Sequence, residues 1–211
     1  MIEIRDTKPG SKRRELWVDD ELVRAIPVDV LRASGIRDGH AVEPDALRDA
    51  IEAVEKSCAH ERALRLIGYR ERSVHEIRTR LLDDGYEAGV VVAMVERFAD
   101  VGLLDDARYA GVYVRTKRSA GWGSRRIARA LADAGIDEPI ALDAITQELP
   151  PEEELGRAVA ILSNLRLDTV SGRQRALRRL VARGFDYQVA REAVRAASDR
   201  FPSGDATTCD S

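Results

Sequence analysis

Two periodicities divide this chain. From the first residue apolar side chains alternate with polar ones, at Ile2 and Ile4 and then, beyond the break Lys8-Pro9-Gly10-Ser11, at Leu16, Val18 and Leu22. A period of two is that of a half-buried strand, and Val18-Asp19-Asp20-Glu21 has the composition of a turn, so a small antiparallel sheet is predicted over about residues 1 to 27. Pro27 to Ser34 reads as a short helix closed by Gly35. Ile36 to Val42 reads as a loop with a last short extended piece, and about Asp45 to Lys56 as a helix.

From about residue 57 the spacing turns helical, and it repeats. Ile77, Leu81, Gly85, Tyr86, Val90 and Val95 recur 50 residues on as Ile127, Leu131, Gly135, Ile136, Ile140 and Ile145. A further 49 residues on they recur as Ala176, Leu180, Gly184, Phe185, Val189 and Val194. Each copy holds a helix ending at a glycine, an apolar residue directly after it, and a second helix whose apolar face starts five residues beyond the glycine. Glycine there takes the left-handed conformation that ends a helix, and the residue beyond it packs back on the last turn. Ser73-Val74-His75-Glu76 and Ser171-Gly172-Arg173-Gln174 fit a capping box, with Ser124 at the matching place in the middle copy. A third helix leads each copy, over about 59 to 70, 107 to 119 and 152 to 165, and Asp105-Asp106 and Glu152-Glu153-Glu154 set negative charge at positive helix ends.

The expected fold is mainly α: three tandem three-helix repeats in a curved, solenoid-like array behind a small β-rich extension. Its parts are an extension and linker helix (1–56), repeats over 57–106, 107–151 and 152–201, and a disordered tail (202–211). The first interface is expected to be set by Ile77, Leu81, Val90 and Val95 with their counterparts. Since the repeats would supply their own core, the body is expected to fold without residues 1–42. A unit near 50 residues with three helices lies outside the tetratricopeptide, ankyrin and HEAT periods.

Charge changes this picture, because its sum conceals its distribution. The 211 residues carry 34 basic and 37 acidic groups, a net −3, yet residues 107–132 hold seven cations and no acid, and 155–185 hold seven arginines against Asp168 alone. The richest stretch, Arg115-Thr116-Lys117-Arg118-Ser119-Ala120-Gly121-Trp122-Gly123-Ser124-Arg125-Arg126, falls at a junction of two helices, where the free N–H groups of a helix start are also expected. Cations without acids nearby have no local pairing to absorb them. The block is therefore read as a contact surface for an anionic partner, with Trp122 itself read as packing between repeats. The candidate residues are Arg115, Lys117, Arg118, Trp122, Arg125, Arg126 and Arg129, with Arg173, Arg175, Arg178 and Arg179 in the third copy. Phosphates and an acidic protein groove are both open as partners, and the net charge of −3 favours the protein.

Catalytic chemistry finds little support. There is no Walker sequence, nucleophile elbow or HExxH helix, and His40, His60 and His75 fall in three different elements. Cys58 and His60 have metal spacing without a second pair. Asp83-Asp84 and Asp105-Asp106 lie at helix ends, where acids cap or solvate. No cofactor or metal is expected. Cys58 and Cys209 read as reduced thiols, and with no 18-residue apolar stretch and no signal layout the chain is expected to be soluble and cytoplasmic.

A family resemblance joins these features. Ala63-Leu64, Leu66, Tyr69, Arg70, Arg72-Ser73, Glu76-Ile77, Leu81 and Gly85-Tyr86 resemble the RecX family of recombinase regulators. Gly102-Leu103-Leu104-Asp105-Asp106-Ala107-Arg108-Tyr109-Ala110 resembles that family's most recognisable stretch, and Gly121-Trp122-Gly123-Ser124-Arg125-Arg126-Ile127 with Leu131 and Gly135-Ile136 its second repeat. Ile77, Ala176 and the arginine-rich third copy depart from the pattern. The resemblance implies a non-enzymatic, monomeric modulator that binds the RecA recombinase and its DNA filament, limiting filament growth, strand exchange, ATPase and co-protease activity, with weak direct binding to single- or double-stranded DNA beside it. The rival reading is a helix-turn-helix-like transcription regulator, since three-helix units also build DNA readers.

Overall fold

A computed structural model describes residues 1–8 and 10–199; the tail and Cys209 lie outside the described residues. The chain forms two compact units, Met1–Asp106 and Ala107–Ser211.

In the first unit, strands β1 (Ile2–Asp6), β2 (Arg13–Val18) and β3 (Glu21–Pro27) form an antiparallel meander in that order. Asp19 and Asp20 take positive φ of 49° and 65°, the left-handed pair that a two-residue hairpin turn requires. Alternation sets Ile2, Leu16, Val18 and Ile26 on the buried face. Helix α1 (Val28–Ser34) ends at Gly35 as expected, while residues 36–43 form no strand. They still run beside β1, with Gly39 N–H donating to Ile2 O and Ile2 N–H to His40 O, each at 2.8 Å.

Helix α2 runs unbroken from Pro44 to Tyr69, so the two helices expected here are one and the boundary at residues 56 and 57 falls inside it. Nothing between Lys56 and Ala59 breaks a helix, and the buried stripe Leu47, Ile51, Glu55, Ala59, Ala63 and Leu66 continues through it. With α3 (Val74–Asp84) and α4 (Ala88–Asp100) it completes the first triplet. The sheet and the triplet share one core, in which Ile2, Leu16, Ile26 and Val30 pack with Ile51, Ile77, Leu81, Val95 and Phe98. The first repeat therefore does not stand on a core of its own, as the pattern had suggested.

Polar ties reinforce that junction. Fully buried Glu55 accepts from Glu87 N–H at 2.7 Å and lies 2.6 Å from Arg24 Nη2. Asp84 lies between Lys12 Nζ at 2.6 Å and Arg62 Nε at 2.8 Å. Burial opposes ionisation of Asp84, but hydrogen bonds from Lys12 and Arg62 and their charges outweigh it and hold the carboxyl below its usual range. Tyr86 O–H donates to Asp29, tying the first triplet's glycine turn to α1.

The second triplet is α5 (Asp106–Ser119), α6 (Ser124–Asp133) and α7 (Glu138–Glu148), and the third is α8 (Pro151–Ile161), α9 (Val170–Ala182) and α10 (Tyr187–Asp199). Each has its own cluster, centred on Ile127 and Leu131 in one and on Ala176, Leu180 and Phe185 in the other. Thus Ile77, Leu81, Val90 and Val95 and their counterparts pack mainly within their own copies.

The repeated turn is built alike three times. Gly85, Gly135 and Gly184 take φ of 98°, 74° and 88°, and the next residue's N–H reaches back five residues, Tyr86 to Leu81 O, Ile136 to Leu131 O and Phe185 to Leu180 O, at 3.0–3.1 Å. In the helix after the turn, Val90 and Val95 of the first copy and Val194 of the third are buried as expected, but the deepest positions of the later copies are Ala141 and Ala144, and Ala190 and Ala193, while Ile140, Ile145 and Val189 are only partly buried. Alanine is a strong helix former on any face and so gives no core signal by sequence. The caps also differ: Ser73 accepts from Glu76 N–H at 3.0 Å as expected, but α9 is capped by Thr169, not Ser171, and α6 opens on Gly123 with Ser124 inside the helix.

Candidate functional site

On α6, Ile127 and Leu131 fill the core, which turns Arg125, Arg126 and Arg129 to solvent. On α9, Ala176 and Leu180 do the same, and Arg175, Arg178 and Arg179 are exposed. Arg125 Nη2 lies 3.3 Å from Asp186. The other five make no ion pair with the described residues, although Arg126 stacks its guanidinium 3.7 Å from the Trp122 ring. The equivalent positions of α3 hold His75, Glu76 and Thr79 in place of Arg125, Arg126 and Arg129.

The remaining candidates serve the fold. Arg115 pairs with Glu148. Arg118 donates to Glu148 O at 2.8 Å and pairs with Glu153. Acids of α7, α8 and the turn before α10 thus pair Arg115, Arg118 and Arg125 from outside the segment, while Arg126 and Arg129 have no ion pair with the described residues. Trp122 is half-buried against the cluster of its own triplet, where packing between repeats was expected, with Lys117 Nζ 4.8 Å and the Arg126 guanidinium 3.7 Å from its ring. Arg173 donates to Leu167 O at 3.0 Å, closing the loop before α9.

The start of α6 corrects a second expectation, since its N–H groups are already used. Ser124 N–H and O–H both donate to Glu154 Oε1, at 3.0 and 2.7 Å, and Arg125 N–H donates to Gly184 O at 3.1 Å. Gly123 N–H donates to Arg183 O at 2.8 Å. Backbone meets backbone here: a Cβ on Gly123 would lie 2.3 Å from Phe185 N, and one on Gly184 would lie 2.2 Å from Arg126 Cβ. The first turn of α6 and the last turn of α9 are thereby held together. Sequence reasoning missed this contact because Gly123 has an ordinary φ of −84° and only the tertiary approach requires it.

Two further arginines were missed for the same reason. Arg157 Nη2 donates to Trp122 O at 2.6 Å, and Arg183 Nη1 reaches Gly121 O at 3.4 Å. Burial, and then the neighbouring Arg118 charge, lower the pKa of Arg157 from its ordinary value. His60 and Cys58, the suggested metal pair, lie on α2, where His60 meets Phe98 edge-on at 5.0 Å. Among the described residues no helix is long and apolar enough to cross a membrane.

Comparison with known proteins agrees with this architecture. A family model described as the first three-helix domain of RecX matches residues 59–98, and one for its second three-helix domain matches residues 105–145. Regulatory protein RecX of Halalkalibacterium halodurans is 30% identical over 203 residues, covering 92% of this chain and 76% of its own. That of Mycolicibacterium smegmatis is 31% identical over 166 residues, covering 72% and 88%. A crystal structure of regulatory protein RecX superposes with a TM-score of 0.63 at 21% identity, over 94% of this chain and 100% of that one, a likeness of fold. With two RecX three-helix domains in order, and with relatives of that name matched over most of both chains, this chain belongs to the RecX family of regulatory proteins.

Proposed function

We propose that this chain binds the RecA recombinase and its DNA filament in the cytoplasm and modulates it, chiefly by limiting filament growth, strand exchange, ATPase and co-protease activity in DNA repair and the SOS response. It acts by occupancy, without turning over a substrate of its own. The observation that carries this reading is a regulatory family's three-helix scaffold bearing outward arginine faces on α6 and α9. A filament of recombinase on DNA offers both phosphates and acidic side chains to such faces. The rival helix-turn-helix reading fares worse. In such readers the first turn of the second helix meets base edges, whereas the first turn of α6 is occupied by Glu154 and Gly184.

The test is strand exchange and ATP hydrolysis by RecA assembled on single-stranded DNA, titrated with this protein below the RecA concentration. Inhibition is expected, and it should weaken in the triple variant R175E/R178E/R179E. No effect on RecA, together with tight sequence-selective binding to duplex DNA, would replace this function with transcriptional control.

A further inference from the structure

We infer that the open groove between α9 and α10 seats the chain's own segment Phe201–Asp210, an intramolecular cap on the third triplet. The groove is separate from the outward face of α9, since Arg175, Arg178 and Arg179 are not among the described residues that line it.

The groove has a volume of about 820 Å³ and is lined by the apolar Val170, Leu177 and Val194 and, from α10, by Arg191 and Arg195. Leu177 is not a demand of the repeat, because the equivalent positions of α3 and α6 hold Arg78 and Ala128. Val170 is 64% exposed. Apolar side chains gathered on an open concave surface mark a place that something covers. Glu192 and Asp199 line the groove as well, but Arg191 and Arg195 make no ion pair with the described residues. The occupant therefore needs an apolar group beside carboxylates.

The chain carries both directly after α10. Ser198 and Asp199, which end that helix, line the groove themselves, so the segment beyond them starts at its rim. That segment, Arg200-Phe201-Pro202-Ser203-Gly204-Asp205-Ala206-Thr207-Thr208-Cys209-Asp210-Ser211, has one aromatic side chain and, after Arg200, the acids Asp205 and Asp210 with no base. Phe201 supplies a large apolar surface for Leu177 and Val194, and Pro202 and Gly204 are turn formers. Along α10 the way back from Asp199 is about 6 Å to Arg195 and about 12 Å to Arg191. The residues from Asp199 to Asp205 span up to about 20 Å when extended, which brings Asp205 within range of Arg195 and Asp210 within range of Arg191. A tethered segment needs little affinity of its own, because the tether keeps its local concentration high. The first triplet is covered in the same manner by a segment of the chain, the strands and α1.

Methyl NMR of the full chain, without recombinase, tests the cap. An aromatic ring seated over a methyl group moves its resonance upfield, so Phe201 should displace the methyl resonances of Leu177 and Val194. Phe201→Ala and a chain ended at Asp199 should return both residues to one common position, while the methyls of Ile127 and Leu131 in the second triplet's core stay in place. R191E/R195E, at exposed sites and so without cost to the fold, should move Leu177 and Val194 part of the way. Adding D205R/D210R to that variant should restore the parent's positions. Identical Leu177 and Val194 methyls in the parent, Phe201→Ala and the shortened chain would show a groove without this occupant and overturn the cap. Displacements that vanish on dilution would assign the groove to a second copy's segment and overturn the intramolecular seat. A charge swap that restores nothing would overturn the pairing of the two acids with Arg191 and Arg195.

Discussion

Deleting residues 1–42 is expected to unfold the first unit while leaving the second intact. The truncation removes Ile2, Leu16, Val18, Ile26 and Val30, all within 3% of full burial, from the core that also holds Ile51, Ile77, Leu81 and Phe98. At about 1.5–3 kcal/mol for each buried aliphatic side chain, the five contribute about 8–15 kcal/mol, as much as the whole stability of an ordinary domain. The figure counts only the side chains removed. Their former neighbours would be exposed as well, and Glu55 would lose Arg24 while Asp84 would lose Lys12. The assay is amide hydrogen exchange on residues 43–211 beside the full chain, with circular dichroism on heating. Protection should vanish over α2 to α4 and persist over α6 to α10, with helical signal lost in proportion. Full-chain protection in α3 and α4 of the truncated protein would refute the shared core and restore the reading in which each repeat stands by itself.

Leu131→Ala should cost about 2–5 kcal/mol in urea unfolding, because Leu131 is fully buried and its truncation leaves a cavity in the second triplet's core; a loss below about 0.5 kcal/mol would mean that the repeats are misaligned. Thr169→Ala should cost about 0.5–2 kcal/mol, as its hydroxyl accepts from Gly172 N–H at 3.0 Å, whereas Ser171→Ala should change stability by less than about 0.5 kcal/mol; the reverse order would return the cap to Ser171. The depressed pKa of Asp84 contributes stability that is complete above the unfolded value of about 3.9 and is lost as pH falls through the lower folded value. Acid unfolding of Asp84→Asn followed from pH 5 downward should therefore be less steep than that of the parent, and identical acid limbs would remove the Lys12–Asp84–Arg62 cluster from the pH dependence.

What could be read from the chain without coordinates depended on whether a residue's requirement was local. Gly85, Gly135 and Gly184 announce themselves because a left-handed residue after an apolar helix has one common cause, and Asp19-Asp20 marks its hairpin by composition. The outward arginines of α6 and α9 were legible because the same spacing that buries Ile127, Leu131 and Leu180 must expose Arg129 and Arg178. Requirements set by distant partners were not legible. Arg118 looks like a free cation until Glu153 is brought beside it, and Ser124 looks like a cap until Glu154 takes both of its donors. The alanines of α7 and α10 escaped for a different reason. Close helix approach selects for small side chains, so the deepest positions are those with the weakest hydrophobic signature.

The two glycine turns with known neighbours also explain what the extension is for. A Cβ at Gly184 would strike the backbone of Arg126, part of the preceding triplet, whereas one at Gly85 would strike the side chain of Arg13 on β2, 2.8 Å away. The extension thus stands against the first triplet's turn where the second triplet stands against the third's. Arrays of similar units need a terminal element that covers the first unit's exposed apolar face, since no preceding copy exists to do so. The three strands and α1 meet that need with Ile2, Leu16, Ile26 and Val30 inward and with Arg24, Lys12 and Asp29 reaching the polar groups of α2, α3 and the glycine turn. A β-rich segment ahead of a helical array is on this argument an end cap folded into the first unit, which is why its removal bears on stability, while the arginine faces of α6 and α9 belong to the other unit and owe nothing to it.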